Sequence, residues 1–488
     1  MLKKCLCLLP LLICAVGVCA ATEMQKSRPQ NILFICIDDL RPKLGCYGDP
    51  IALTPNIDRL AGQGRLFRKA YCQFAICGPS RASVLSGMYP FNSGIEDNVK
   101  SFRDMLPDRV SLPQYFRENG YHTVGMGKIF HSHKPEPLSW DQWVEIDGSG
   151  AEYFDSENIQ SMRQRRAQVV AREKAGEKFK PWQRRELIIG PFSEAADVSD
   201  EKYPDWKLAT SAIESLRSLK DSEQPFFVAV GFHRPHLPFV VPKKYWDLYN
   251  PRELPVPEKL VFPEGVPSWH THNSFEVRGY QDVSKTGPID EEMVRRAVHG
   301  YYAACSFADA QVGRVVDELK RLELDRNTII VLWGDNGFHL GENGMLCKDT
   351  NFEAAAAVPL MLSAPGLTPA TVDRPVELVG IFPTLCSLAG IPVPDQCDGE
   401  NLCSLESGDD AIAFTMNQRK WNSPNVGCSV RTDQYRYIRW TAPDESVIAE
   451  ELYDYSLGQE EKRNLASEKQ YSKTLKRLRK RLDAVLTD

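Results

Sequence analysis

Asn31-Ile32-Leu33-Phe34-Ile35-Cys36-Ile37 is an unbroken apolar run of strand length, and it stops abruptly at Asp38-Asp39. A run with no polar alternation offers no face to water, so it reads as a strand buried on both faces of a parallel sheet. Similar short buried strands are expected at 122–126, 226–230, 328–333 and 359–362. Amphipathic helical stretches separate some of them, notably 291–322. The segment 55–64 also reads as a helix, with Thr54 as N-cap and Pro55 at the first helical position. Strands alternating with helices predict an α/β fold: a large mixed, mostly parallel sheet sandwiched by helices.

Outward from that core, residues 134–205 are polar, with a charged run at 162–185, and read as surface insertions. Residues 240–290 are rich in proline, tryptophan and tyrosine without a clear period, as in long ordered loops beside a sheet edge. Near residue 405 the pattern changes. Segments 427–440 and 448–453 read as antiparallel strands, and Leu475, Leu478, Leu482 and Val485 line one face of a final helix. The expected division is a leader over 1–20, a large domain over 28–405 and a smaller C-terminal domain over 406–488.

The leader reading rests on Lys3 and Lys4, the apolar run 5–18 and the small-residue ending Val18-Cys19-Ala20. It predicts a secreted or periplasmic protein, with lipoprotein processing at Cys19 as the alternative. No later stretch is long and apolar enough to span a membrane. The 488 residues suffice for one large domain plus a small one, and the net charge of −6 gives no support to nucleic-acid binding. Four of the fourteen cysteines lie in the leader. The other ten show neither a dense spacing nor a CxxC pair, so no disulfide scaffold or zinc site is indicated, although Cys397 and Cys403 are spaced to close a small loop.

Four of the buried strands end in polar clusters: Asp38-Asp39, Gly127-Lys128-Ile129-Phe130-His131, Gly231-Phe232-His233-Arg234-Pro235-His236, and Gly334-Asp335-Asn336-Gly337. Ligands of open α/β sheets bind outside the carboxyl ends of the strands, so these clusters should converge on one rim. Asp38, Asp39, Asp335 and Asn336 supply only oxygen donors, which suits a hard divalent cation, Ca2+ first and Mg2+ second. Lys128, Arg81 and Lys348 supply positive charge for an anionic group. His131 and His233 exchange protons near neutral pH. Cys77, two residues before Pro79, is expected at a helix N-terminus, where free amides favour anions. Alone, each feature has a bland reading as a turn, a cap, a surface lysine or a small core thiol. Their joint occurrence at one rim is what points to a site.

The run Cys77-Gly78-Pro79-Ser80-Arg81, followed by Leu85-Ser86-Gly87, resembles the signature of the type I sulfatases of the alkaline phosphatase superfamily. Thr54-Pro55-Asn56-Ile57-Asp58-Arg59-Leu60, Ala70-Tyr71, Glu451-Leu452-Tyr453-Asp454 and Asn464-Leu465 fit the same family, over residues 29–466. Gly127-Lys128 with Phe130-His131, His233-Arg234-Pro235-His236, and Gly341-Glu342 with Lys348 and Asn351-Phe352 resemble its iduronate-2-sulfatase branch. Two positions depart from that branch: Asn336 stands in place of histidine, and Arg234 in place of lysine.

The resemblance implies that Cys77 is oxidised to formylglycine by a formylglycine-generating or maturase enzyme. A hydroxyl of the hydrated aldehyde would attack sulfate sulfur, and His131 would deprotonate the second hydroxyl to expel sulfate. His233 would protonate the leaving sugar oxygen, with Lys348 holding the sulfate, while Arg81 and Lys128 stabilise charge at the nucleophile. Residue 77 would join Asp38, Asp39, Asp335 and Asn336 around the cation. The substrate expected is a sulfated carbohydrate, 2-O-sulfated iduronate first. Arg234, His236 and His339 are the expected sugar contacts, because the rim carries more positive charge than one sulfate needs. The competing readings are a sulfatase of another sugar such as galactose sulfate, a phosphomonoesterase or phosphonate hydrolase of the same superfamily, and a non-catalytic glycan-binding relative.

Overall fold

The computed structural model describes residues 30–131, 135–147, 152–404, 411–419, 423–458 and 461–487. The proposed leader and the proposed division at 405/406 lie outside these. The main sheet has eight strands: β1 (Asn31–Ile37), β2 (Arg65–Tyr71), β3 (His122–Gly127), β4 (Gln142–Val144), β5 (Phe226–Phe232), β6 (Thr328–Gly334), β7 (Ala357–Ser363) and β8 (Ala370–Glu377). Their spatial order is β8-β2-β7-β6-β1-β5-β3-β4. β1 sits in the middle, parallel to β5 and β6, with Ile37 opposite Phe232 and Gly334. All three strands are buried along their whole length, which explains why their sequences do not alternate.

β7 is the one reversed strand, antiparallel to β6 and β2. The run at 359–362 is therefore a strand as expected, but it does not extend the parallel set. The chain reaches it from β6 through residues 335–356 without a crossover helix, and that return path carries part of the site.

Helices α1 (Pro55–Ala61), α2 (Cys77–Ser86), α3 (Leu112–Glu118), α4 (Pro204–Leu219), α5 (Glu291–Arg321) and α6 (Ile381–Ala389) cover the sheet. One face of β1, with Leu33, Ile35 and Ile37, packs against α1, α4 and α5. The other, with Ile32, Phe34 and Cys36, packs against α2, α3 and α6. The charged run at 162–185 falls in two surface helices, Ser156–Lys174 and Pro181–Ile188, which bury little beyond Val169 and Ile188.

A second sheet of four antiparallel strands, β9 (Ala413–Gln418), β10 (Val426–Arg431), β11 (Tyr435–Thr441) and β12 (Val447–Asp454), is packed by α7 (Ser472–Thr487) through Leu475, Leu478 and Leu482. It is joined to the main domain by a buried ionic seam. Glu353, just before β7, accepts from Tyr71, Arg431 and Arg436, and Arg436 also meets Glu461 at 3.1 Å. Cys397 and Cys403 are both free thiols, so the loop between them is not closed: Cys397 packs against Gly87, and the Cys403 carbonyl accepts from Arg65.

Candidate active site

The four polar clusters do converge. Asp38, Asp39 and Asp335 follow two adjacent parallel strands, and Cys77 arrives from the start of α2. One ligand atom from each of these four residues lies within 4.8 Å of every other. The geometry is fixed from the backbone outward. Asp39 adopts a left-handed conformation (φ 59°), and its N–H donates to Asp335 Oδ1 at 2.9 Å. The Asn336 N–H donates to the same oxygen at 2.9 Å. Gly127 (φ 72°) turns the chain at the end of β3 so that Lys128 reaches Asp38 Oδ2 at 2.5 Å.

Every residue of the Cys77-Gly78-Pro79-Ser80-Arg81 run has a structural task. Cys77 is the first residue of α2, with Ile76 as N-cap. The Gly78 N–H donates to Asn98 Oδ1 at 2.8 Å, and a Cβ at Gly78 would stand 2.6 Å from that oxygen, so a larger residue cannot sit there unaltered. Pro79 occupies the first turn, where no N–H is required. The Ser80 hydroxyl donates to the Asp335 carbonyl at 2.5 Å. Arg81, fully buried, gives Nε to Asp335 Oδ2 at 2.7 Å, and Nη1 to the carbonyls of Lys128 and Ile129. Its Nη2 lies 3.5 Å from Asp38.

The charges are tightly balanced. Burial pushes the Asp335 carboxyl up to about 6 against the pull of Arg81, with Asp38 and Asp39 adding to the rise. Burial acts on Asp38 in the same direction, but Lys128, His236, Arg81 and Lys348 together hold it well below the usual carboxylate range. Lys348 Nζ sits 2.7 and 2.6 Å from the two Asp39 oxygens and 3.5 Å from Glu276, and these anions keep it firmly protonated despite its burial. The Cys77 thiol, donating to Asp38 at 3.2 Å, is pushed well above its ordinary value by burial and then by Asp335 and Asp38. An unmodified Cys77 is therefore a protonated, poorly nucleophilic thiol.

The two histidines of the expected acid–base pair differ in setting. His131 is held near 3 by burial and by the neighbouring Lys128, so it is neutral at physiological pH. Its Nδ1 is buried with no hydrogen-bond partner among the described residues. His233 follows β5 and is a quarter exposed, with Nδ1 3.2 Å from Asp205 Oδ1.

Three further expected residues fall in different places. His236 lies at the centre, Nε2 3.2 Å from Glu276 and 3.8 Å from Asp39. The Arg234 guanidinium instead donates to the carbonyls of Val240 and His236 at 3.1 and 2.9 Å. His339 is fully buried, with its two nitrogens against the Glu342 carbonyl and the Thr350 hydroxyl. Arg234 and His339 are thus engaged within the framework. Glu276 and Asp205 are site residues that sequence reasoning missed. Glu276 comes from the aperiodic 240–290 region and is held far below its usual value by Lys348 and His236 in spite of burial.

The donor set fits a hard cation. Three buried carboxylates, Asp38, Asp39 and Asp335, meet at a point, with the Asn336 amide bonded to one of them. Asn336 donates Nδ2 to Asp39 at 2.7 Å, while its Oδ1 is buried without a hydrogen-bond partner among the described residues. A buried orphan acceptor beside clustered carboxylates is what a divalent ion would satisfy.

Comparison with known proteins agrees with this geometry. A family model described as Sulfatase matches residues 30–391, and one described as N-sulphoglucosamine sulphohydrolase, C-terminal, matches 341–488. The chain is 33% identical to iduronate 2-sulfatase of Mus musculus, covering 88% of each chain. It is 32% identical to iduronate 2-sulfatase of Homo sapiens, covering 91% of this chain and 93% of that one. A protein solved in complex with its substrate D-glucosamine-2-N,6-O-disulfate superposes with a TM-score of 0.71 at 21% identity, over 94% of this chain and 98% of the other, a likeness of fold. With the carboxylate cluster, the buried Cys77 and these matches taken together, the chain belongs to the sulfatase family and is a sulfuric ester hydrolase.

Proposed function

We propose that the protein removes sulfate from a sulfated glycan residue, with 2-O-sulfated iduronate or a similar uronic acid as the leading substrate. The observation that carries the catalytic reading is the Cys77 thiol seated on Asp38, Asp39 and Asp335 inside a ring of Arg81, Lys128 and Lys348. The substrate reading rests on identity of 32–33% to iduronate 2-sulfatases along most of both chains. It no longer draws on surplus positive charge: Lys348 and His236 are balanced by Asp39 and Glu276, and Arg234 and His339 are engaged elsewhere.

Cys77, oxidised to formylglycine by a maturase, supplies a hydrated aldehyde, one hydroxyl of which gives up its proton to water and attacks sulfur where the thiol could not. Asp38, Asp39, Asp335, Asn336 and residue 77 would hold one Ca2+, or else Mg2+, which supplies Lewis-acid polarisation of a sulfate oxygen. Around them the chain's own groups divide the work. Lys348, pinned on Asp39 and Glu276, presents a fixed ammonium to the sulfate. Arg81 acts through Asp335 and Asp38, since its donors are taken up by protein. Lys128 compensates Asp38 and lies next to the nucleophile. His233, protonated at Nε2, passes that proton to the sugar oxygen as the S–O bond breaks. Neutral His131 then takes the proton of the second hydroxyl, whose electron pair re-forms the aldehyde C=O as the carbon–oxygen bond to the departing sulfate breaks. The 1–20 leader, a secretory signal in this reading, would deliver the enzyme to a secreted or periplasmic location. No helix among the described residues is long and apolar enough to cross a membrane.

The test has two arms. Peptide mass spectrometry of active enzyme should find formylglycine at residue 77, and full activity with only cysteine there overturns the nucleophile. The ratio of kcat/KM for a sulfated uronic acid to that for its carboxyl-reduced analogue reads the substrate. Equal values overturn the uronate assignment in favour of a neutral sugar such as galactose sulfate.

A further inference from the structure

Asp205 is the second residue of α4 and is 2% exposed. Its Oδ1 takes the backbone N–H of His233 at 2.9 Å and faces His233 Nδ1 at 3.2 Å, and its Oδ2 takes the Arg234 N–H at 2.8 Å. One carboxylate therefore grips both the backbone and the ring of the histidine, from a helix N-terminus that favours negative charge. Burial alone would push this carboxyl up; the hydrogen bond and charge of His233, then the charge of Arg234, outweigh it, so Asp205 stays ionised. An ionised carboxylate only accepts, so the proton between the two groups belongs to His233 Nδ1 and the exchangeable one lies on Nε2. Behind the pair is a cavity of about 10 Å³ lined by Tyr203, Pro204, Asp205, His233, Arg234, Val240 and Phe307. The Tyr203 hydroxyl is buried with no hydrogen-bond partner among the described residues. Among the described residues that line this cavity, Arg234 is the one other charged group.

We infer that Asp205 is a positioning residue that fixes the tautomer and aim of His233 and stabilises its protonated form for transfer to the leaving oxygen. The inference deepens the proposed function, since it rests on His233 being the general acid. Of the cavity walls, Asp205 alone bonds both the ring and the backbone of His233. Asparagine there would keep the size but place a donor against a donor, favouring the wrong tautomer.

The experiment uses the mature full chain and a series of aryl sulfates with graded leaving-group pKa, alongside a sulfated sugar. Variants H233A, D205N, D205E and the double variant H233A/D205N are compared. D205N should lose about 10- to 100-fold in kcat on the sugar sulfate and nearly nothing on the best aryl leaving group. The alkaline limb of its kcat profile should move to lower pH, because a negative charge beside the acid is gone. D205E should recover part of the loss, and the double variant should be no worse than H233A. If H233A steepens the leaving-group dependence and D205N does not, the Asp205 assignment is overturned while the acid role of His233 stands. If H233A leaves that dependence unchanged, the acid role itself fails. Equal D205N losses on all substrates would mark Asp205 as a folding residue only and overturn the assignment.

Discussion

Replacing Arg81 with methionine tests the charge balance of the site. The guanidinium is fully buried and makes a 2.7 Å pair with Asp335, and it also satisfies the carbonyls of Lys128 and Ile129. Breaking a buried pair by removing one partner costs about 3–5 kcal/mol. Leaving buried carbonyls unpaired adds about 1–3 kcal/mol in the absence of water. Protonation of Asp335 limits the total. That carboxyl already titrates near 6 with Arg81 present and rises further without it. A carboxyl whose folded pKa is raised favours the folded state at low pH and loses that contribution as pH rises through the folded value. The destabilisation of R81M is therefore expected at about 4 kcal/mol at pH 8 and at clearly less near pH 5.5, on the buried-pair scale. A divalent ion bound by the native state replaces some of the lost positive charge, so saturating Ca2+ should narrow the gap. Guanidinium chloride unfolding with chelator and with Ca2+, at both pH values, measures all of this. A difference below about 1 kcal/mol in chelator at pH 8, well under the buried-pair range, refutes the reasoning. So does a difference that does not shrink at pH 5.5.

Asp335→Ala should abolish stoichiometric Ca2+ binding in calorimetry as well as activity, because a buried anionic oxygen and the orientation of Asn336 go together. Stoichiometric zinc held by histidines would contradict the donor set. His131→Ala should give a burst of aryl alcohol followed by slow turnover, since only the second deprotonation is lost; an unchanged steady state would remove His131 from that step. Glu377, pushed up to about 7 by burial, accepts from Tyr89 and from the Phe414 N–H. Its stabilising contribution is complete below its ordinary value of 4.5 and fades as pH rises through about 7. Glu377→Gln should thus gain melting temperature relative to the parent at pH 8 and lose the advantage at pH 5, read by thermal scans.

The central strands were legible because burial on both faces leaves a continuous apolar signature, as in β1, β5 and β6. β2 and β8 were not, because Arg65, Arg68 and Lys69 in one and Thr371, Asp373 and Arg374 in the other interrupt the pattern near the sheet edge. The carboxylates, Lys128 and His233 could be placed because a residue following a buried parallel strand has only one rim to occupy. Cys77 was placed by its helix start, and Lys348 by resemblance. Glu276 sits in a single helical turn, Phe275–Arg278, inside a stretch with no period, and Asp205 looks like any acid in a first helical turn, so neither carries a local signal. Arg234 and His339 show the converse limit: adjacency to a site motif does not say which way a side chain turns.

The segment from Lys348 to Glu353 has a consequence for modularity. Asp349 is bonded by Asn417 of β9, the Asn351 amide donates to the Gly427 carbonyl of β10, and Glu353 closes on Arg431 and Arg436. Six residues thus carry the lysine paired with Asp39, proposed to face the sulfate, at one end and the second sheet's main ionic anchor at the other. The small C-terminal sheet is therefore not an exchangeable cassette. Grafting a foreign sheet onto this core, or trimming the second sheet away, would remove the partners of Asp349, Asn351 and Glu353 and so loosen the segment that holds Lys348.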